Sequence, residues 1–138
     1  MATSDPMCWL PQFLAAQVFD SALMTQAYLD RSRQITWCVR THSDGAVVGC
    51  VTLDKPLREI EYWIGSPHWR QGYCRQAVGI AIQEVRRSTG WPLLFAQARR
   101  DNERSHKVLL RNGFRFVDLQ RGARGAMMLR YAVMLQTP

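Results

Sequence analysis

Between a strand-like run and a helix-like run the chain carries Trp69-Arg-Gln-Gly-Tyr-Cys-Arg75, with Gly72 at its centre. A helix is expected to begin at once, and the first amides of a helix have no partner within it. The helix dipole adds partial positive charge there, and Arg70 and Arg75 add full charges. Such a junction suits a diphosphate, although a plain tight turn fits the same residues. The phosphate loop G-x-x-x-x-G-K-[ST] and the dinucleotide glycine fingerprint are absent. Just upstream, Glu59 and Glu61 alternate with Ile60, Tyr62 and Ile64, so both carboxylates project from one face of a strand with Trp63. They read as candidate proton acceptors or as ordinary solvent-facing carboxylates. Cys74 falls in the first helical turn, a place that lowers a thiol pKa. The cysteines, Cys8, Cys38, Cys50 and Cys74, make no C-x-x-C pair and lack a histidine at zinc-ligand spacing, so no metal site is expected.

The elements that must hold these residues follow from periodicity. Phe13 to Arg33 reads as one or two helices, through Leu14, Val18, Ala22, Leu23, Ala27 and Tyr28. Ile35–Arg40 and Ala46–Leu53 are rich in strand formers, and Asp44-Gly45 between them signals a hairpin. Leu57–Gly65 alternates as a third strand, broken by Ser66-Pro67-His68. Cys74–Ser88 is the clearest helix, with Cys74, Ala77, Val78, Ala81, Ile82 and Val85 on one face and Gly90 where a C-terminal cap belongs. Pro92–Ala98 is a short apolar strand. Asp101 or Asn102 caps a helix through Arg111, closed by Gly113. Phe114–Leu119 and Met127–Leu135 finish as strands, with 121–125 as their loop.

Composition sets the frame. At 138 residues and 47% apolar, the chain makes one domain rather than two poorly cored ones. It is too apolar for a disordered chain, and it is neither collagen-like nor a disulfide-stapled miniprotein. No apolar run nears the roughly 20 residues that span a bilayer. No signal peptide is visible at the start, and a cytoplasmic protein with reduced thiols is expected. The net charge is +7, carried mostly by arginine, since only Lys55 and Lys107 are lysines. That imbalance fits a GC-rich coding sequence, and its field favours a phosphate-bearing partner, nucleic acid or phosphorylated cofactor alike.

Arg70-Gln-Gly-Tyr-Cys74 is followed, thirty residues beyond Gly72, by Asn102-x-x-Ser-x-x-Val-Leu-x-x-x-Gly-Phe114. In this order and spacing the pair resembles the GNAT superfamily of N-acetyltransferases, most closely its RimJ/RimL-like branch, which includes ribosomal-protein N-terminal acetyltransferases. Glu59-Ile-Glu-Tyr-Trp-Ile-Gly65, the hairpin from Trp37 to Leu53 and Tyr131-Ala-Val133 share the likeness, which covers about residues 35–135. The resemblance implies an α/β (α+β) fold: a mixed, mostly antiparallel sheet whose middle strands splay, flanked by helices. The pantetheine arm of acetyl-CoA would fill the splay against backbone groups of Trp63 and Ile64. The N–H groups of Arg70, Gln71, Gly72, Tyr73, Cys74 and Arg75 would take the diphosphate, and Asn102 would touch the arm. Lys107 and Arg111 would meet the 3′-phosphate or form a solvated helix face, and Arg99, Arg100 and Arg104 carry the same two readings.

The reaction so implied is direct attack of a primary amine on the thioester. Glu59 is the first candidate for the base and Glu61 the alternative; Glu61 could instead recognise a cationic acceptor. Many relatives protonate the leaving thiolate with a tyrosine where this chain has Leu109. In the RimJ/RimL-like branch the serine matching Ser105 has that role; alternatively Ser105 only bonds the first helical turn with Asn102. Cys74 replaces a usual glycine or alanine and reads as a tolerated small residue. His68 and His106 read as exposed loop and helix-surface residues, His42 lies in the hairpin, and Trp37, Trp63, Trp69 and Trp91 read as core or rim aromatics. The family's first strand and most of its first helix have no counterpart, so residues 1–34 read as helical and either divergent or truncated. A homodimer contact or the N-terminal segment is then expected to cover the bared sheet edge. The acceptor is a protein or peptide N-terminus or a small amine. A catalytically degenerate acyl-CoA-binding module and a small basic nucleic-acid-binding protein are the alternatives.

Overall fold

The computed structural model describes residues 33–41, 44–122 and 125–136. The helices expected before Gln34, and His42, lie outside these residues. β1 (Gln34–Arg40) and β2 (Val47–Asp54) form the expected hairpin, paired from Gln34 with Asp54 to Arg40 with Val47. Its turn is an Asp-Gly device: the Asp44 carboxylate accepts from the Thr41 hydroxyl and, at 3.0 Å, from the Ala46 N–H, and Gly45 takes φ 73°.

β3 (Glu59–Ile64) starts two residues later than its alternating pattern predicts. The Asp54 carboxylate accepts the Leu57 N–H at 3.0 Å and Arg58 turns to φ 53°, which keeps Leu57 in the turn and exposed. β2 and β3 pair antiparallel from Gly49 with Ile64 to Asp54 with Glu59. Gly49 permits this approach, because a Cβ there would sit 2.0 Å from the Trp63 carbonyl oxygen.

A 3₁₀ turn (Ser66–His68) leads to α1 (Tyr73–Ser88), which buries Ala77, Val78, Ala81, Ile82 and Val85 at the predicted spacing. Its C-terminus differs from expectation. Thr89 is extended, and both its N–H and its hydroxyl donate to the Val85 carbonyl, at 3.0 and 2.8 Å. The threonine satisfies the orphan carbonyl, so Gly90 takes no positive φ.

β4 (Leu93–Arg99), α2 (Glu103–Arg111), β5 (Arg115–Arg121) and β6 (Met127–Met134) complete the described chain. Asn102 caps α2 by accepting the Ser105 N–H at 3.1 Å, and Gly113 ends it at φ 88°.

The sheet order is β1-β2-β3-β4-β6-β5. β3 and β4 are its parallel pair, joined by the crossover through α1. They pair at only two positions, Glu59 with Phe95 and Ile60 with Ala96. β4 instead follows β6 along its whole length, Leu93 to Arg99, as β3 follows β2. The sheet is therefore two antiparallel ribbons joined at a short hinge, and they part beyond Ile60. This is the mixed, splayed sheet expected.

One sheet face packs on the helices. Ile60, Ile64, Leu94 and Ala96 meet Val78, Val85, Leu109 and Phe114 in a common core, with Trp37 also buried. Leu94 is fully buried beside the hinge. Leu94→Ala is expected to cost about 2–5 kcal/mol, by lost transfer energy and the cavity left behind. A urea-unfolding midpoint lowered without a change in slope checks this.

Candidate active site

The parting of the ribbons leaves strand-edge groups facing a gap. Gly65 donates to Val48 of β2, and the Arg58 carbonyl accepts from Phe95 of β4, so alternate residues of β3 address opposite neighbours. The backbone groups of Tyr62 and Ile64 thus face the gap, whereas those of Trp63 face β2. This differs from the expected pair, Trp63 and Ile64, because that expectation ignored hydrogen-bonding parity. The Ile64 carbonyl also accepts the Trp69 indole N–H at 2.7 Å.

A cavity of about 440 Å³ occupies the gap. Tyr62 and Ile64 line it from the helical face and Trp63 and Arg99 from the other, so it passes through the sheet. Cys74 of α1 and Asn102, Ser105 and Val108 at α2 complete its wall. A second cavity of about 260 Å³ continues it toward the start of α1. Arg70, Arg75, Arg104, Lys107 and Arg111 line this second cavity, and among the described residues no carboxylate does. The cations named from sequence therefore converge here, except that Arg99 faces the first cavity, where Asp101 lies 3.5 Å from its Nε, and Arg100 lines neither.

The floor is the Gly72 turn. Gly72 sits at φ 83°, and Arg70 also takes a left-handed φ of 67°. Trp69 N–H donates to Ser66 and Gln76 N–H to Gly72, but among the described residues the amides from Arg70 to Arg75 have no protein acceptor. Gln71 is folded back, its amide donating to the Pro67 carbonyl at 3.2 Å. Unspent amides, a helix N-terminus and five converging cations fit the diphosphate of a coenzyme. Trp69 and Arg104 bridge the trough from opposite walls, with the guanidinium carbon 3.6 Å from the ring centroid. Sequence reasoning named both residues but not their pairing, which joins two separate elements.

Cys74 is at the expected place, yet burial pushes its thiol up to about 12. The cause is desolvation, which disfavours the thiolate and runs opposite to the lowering expected of a helix N-terminus.

Glu59 begins β3 at the hinge, on the face away from the helices. It is half-buried, and its Oε2 accepts from Gln97 Nε2 at 3.0 Å. The same Gln97 amide donates to Gln120 at 3.3 Å. Burial raises the Glu59 carboxyl pKa above its ordinary value; Gln97 opposes this, Glu61 and Asp54 add to it, and Arg130 opposes it. Glu61 is exposed. Neither carboxylate lines the two cavities: Glu59 stands at the vertex of the gap, beyond its lining. Gln97 was missed in the sequence; its one signal was an amide inside an otherwise apolar strand.

Ser105 is buried, and Asn102 accepts its N–H. Its hydroxyl does not return to the helix. Oγ lies 2.6 Å from the Tyr62 hydroxyl, whose single hydrogen also has the Ser105 carbonyl within reach at 3.3 Å. Tyr62 is the other residue sequence reasoning missed. Its alternation with Ile60 and Ile64 marked the helical face, but nothing local ties it to a serine 43 residues away.

The described helices include none long and apolar enough to cross a membrane. Among the described residues no group of three or more His, Cys, Asp or Glu side chains could hold a metal ion.

The sequence matches the family described as acetyltransferase (GNAT) domain over residues 2–115. This match reaches further toward the N-terminus than the motifs, which cover about 35–135, and ends before them. No curated protein matches. The fold is similar to that of the ribosomal L7/L12 alpha-N-protein acetyltransferase RimL in complex with coenzyme A: TM-score 0.66, 18% identity, 75% of this chain and 63% of that one. The chain thus spans less than two thirds of RimL's length. It is similar to ribosomal-protein-S5-alanine acetyltransferase from Vibrio fischeri, with TM-score 0.71 and 17% identity over 86% of this chain and 72% of that one. A variant of the spermidine N-acetyltransferase SpeG from Vibrio cholerae gives TM-score 0.68 and 15% identity over 83% and 72%. At such identities the likeness is one of fold. The matched residues take in the hinge, the Gly72 turn and all of α2, and the chain belongs to the GNAT acetyltransferase family.

Proposed function

We propose that this protein transfers acetyl from acetyl-CoA to a primary amine by direct attack. The observation that carries the reading is the two-residue hinge between β3 and β4, with the unspent amides of Arg70–Arg75 at the mouth of the gap it opens. The diphosphate lies on those amides among Arg70, Arg75 and Lys107. The pantetheine arm pairs with the edge of β3 at Tyr62 and Ile64, and Asn102 and Val108 bound it on the α2 side. The Trp69 indole, which holds the Ile64 carbonyl, yields it or shares it. The thioester reaches the vertex, where Glu59 takes the proton that the amine must lose.

The acceptor is an N-terminal amine of a protein or peptide, in keeping with the ribosomal-protein acetyltransferases among its structural neighbours. A polyamine is the second reading: Asp54, Glu59 and Glu61 share one face, and SpeG is a neighbour. The basic side chains turned into the groove favour a phosphorylated coenzyme over nucleic acid.

Thermal unfolding with acetyl-CoA, CoA or adenosine tests the reading. Both coenzymes are expected to raise Tm, with about 2.7 kcal/mol of stabilisation at a hundredfold excess over Kd, and adenosine to do far less. A flat response overturns it. Coenzyme binding without acetylation of any peptide or polyamine would instead mark a degenerate binding module.

A further inference from the structure

We propose that Tyr62 is a positioning residue: its phenol holds Ser105 so that the serine hydroxyl donates into the gap, toward the sulfur released from the thioester. The inference rests on the transferase reading above.

Three observations carry it. The Tyr62 hydroxyl and Ser105 Oγ are 2.6 Å apart, and both side chains line the cavity in the gap. The single phenol hydrogen has two acceptors in reach, Ser105 Oγ at 2.6 Å and the Ser105 carbonyl at 3.3 Å. A phenol is a much stronger acid than an aliphatic alcohol, so the shorter contact takes the hydrogen and the serine oxygen accepts it. The Ser105 N–H is already held by Asn102, and among the described residues its Oγ has no partner other than Tyr62. The serine hydrogen is therefore left to point into the cavity. Burial raises the Tyr62 phenol above its ordinary pKa, so it keeps its proton and remains a donor.

Without the phenol, the serine hydroxyl is free to fall back on a backbone carbonyl three or four residues earlier. Tyr62 outcompetes that local bond across 43 residues of sequence. In the reaction the nitrogen–carbon bond forms and the carbon–sulfur bond breaks. The bonding pair stays on sulfur, and the proton shed by nitrogen passes to Glu59. Ser105 gives no proton away; its hydrogen bond meets the charge growing on sulfur.

The test combines kinetics with binding. Tyr62→Phe is expected to lower kcat about threefold to tenfold, the worth of one such hydrogen bond, with KM for acetyl-CoA within about twofold of the parent. Ser105→Ala is expected to lose at least as much, and the double variant no more than Ser105→Ala alone. Independently of turnover, at alkaline pH, where a growing share of the coenzyme thiol is ionised, the protein should bind CoA more tightly than desulfo-CoA, which lacks the sulfur. Tyr62→Phe should shrink that preference as far as Ser105→Ala does. Losses that multiply in the double variant, or a preference untouched by Tyr62→Phe, overturn the inference. A protein that binds CoA but acetylates nothing overturns the transferase reading, and the CoA to desulfo-CoA ratio then decides the role of Tyr62 by itself.

Discussion

Glu59→Gln should lower kcat by about 10²–10⁴, the range of general-base catalysis, with KM for acetyl-CoA nearly unchanged. Glutamine is close to isosteric, and Gln97 can still donate to its oxygen, so the hinge is expected to persist. What disappears is the proton acceptor at the vertex of the gap. The pH profile provides a second readout. Burial raises the Glu59 pKa, so the basic form should be lost at a higher pH than for an ordinary glutamate, and the acid limb of kcat/KM should lie correspondingly high. Gln97→Leu removes a donor that favours the anion and should move that limb further up. Glu61→Gln removes a like charge and should move it down. A Glu59→Gln variant within about threefold of the parent activity would assign the base elsewhere, and Glu61→Gln is the next substitution to read.

Gly72→Val is expected to cost at least tenfold in CoA affinity. Two effects add. At φ 83° a β-branched residue is strained, by more than the roughly 1–2 kcal/mol that an ordinary L-residue loses in a left-handed conformation. The methyls would also stand where the diphosphate must approach the amides. Steric conflict within the protein is not the cause, because the nearest atom to a Cβ added at Gly72 is the end of the Gln76 side chain at 3.5 Å. Gly72→Asn separates the two effects, since asparagine tolerates this conformation. It should recover most of the thermal stability lost by Gly72→Val but little of the affinity. Calorimetric titration with CoA beside thermal unfolding reads both. Undiminished affinity in Gly72→Val would place the diphosphate elsewhere.

Much of this protein was legible along the chain. The alternation of Glu59–Ile64, the apolar face of α1 and the Asp44-Gly45 turn are local patterns, dictated by which residues meet a core and which meet water. The helix start at Gly72 and the Asn102 cap are local as well, since glycine takes the left-handed turn without strain and asparagine accepts an amide three residues on. The errors were local competitions that the wrong residue was expected to win. Thr89 satisfied the end of α1 before Gly90 could, and Asp54 kept Leu57 out of β3.

What no local pattern contained is the gap and its contents. The ribbons part because β3 stays on β2 while β4 stays on β6, and the β6 partners of β4 lie roughly thirty to forty residues downstream. Only that pairing leaves Tyr62 and Ile64 facing a cavity while Trp63 is spent on β2. Only the packing of α2 beside α1 and β4 brings Ser105 to Tyr62, Arg104 to Trp69 and the basic side chains around one trough. The sequence by itself determined the order of the described elements, the Asn102 cap and the family. The tertiary structure decided which backbone groups stay unpaired and which distant side chains meet, because hydrogen-bond parity and strand partnership depend on neighbours far away in the chain.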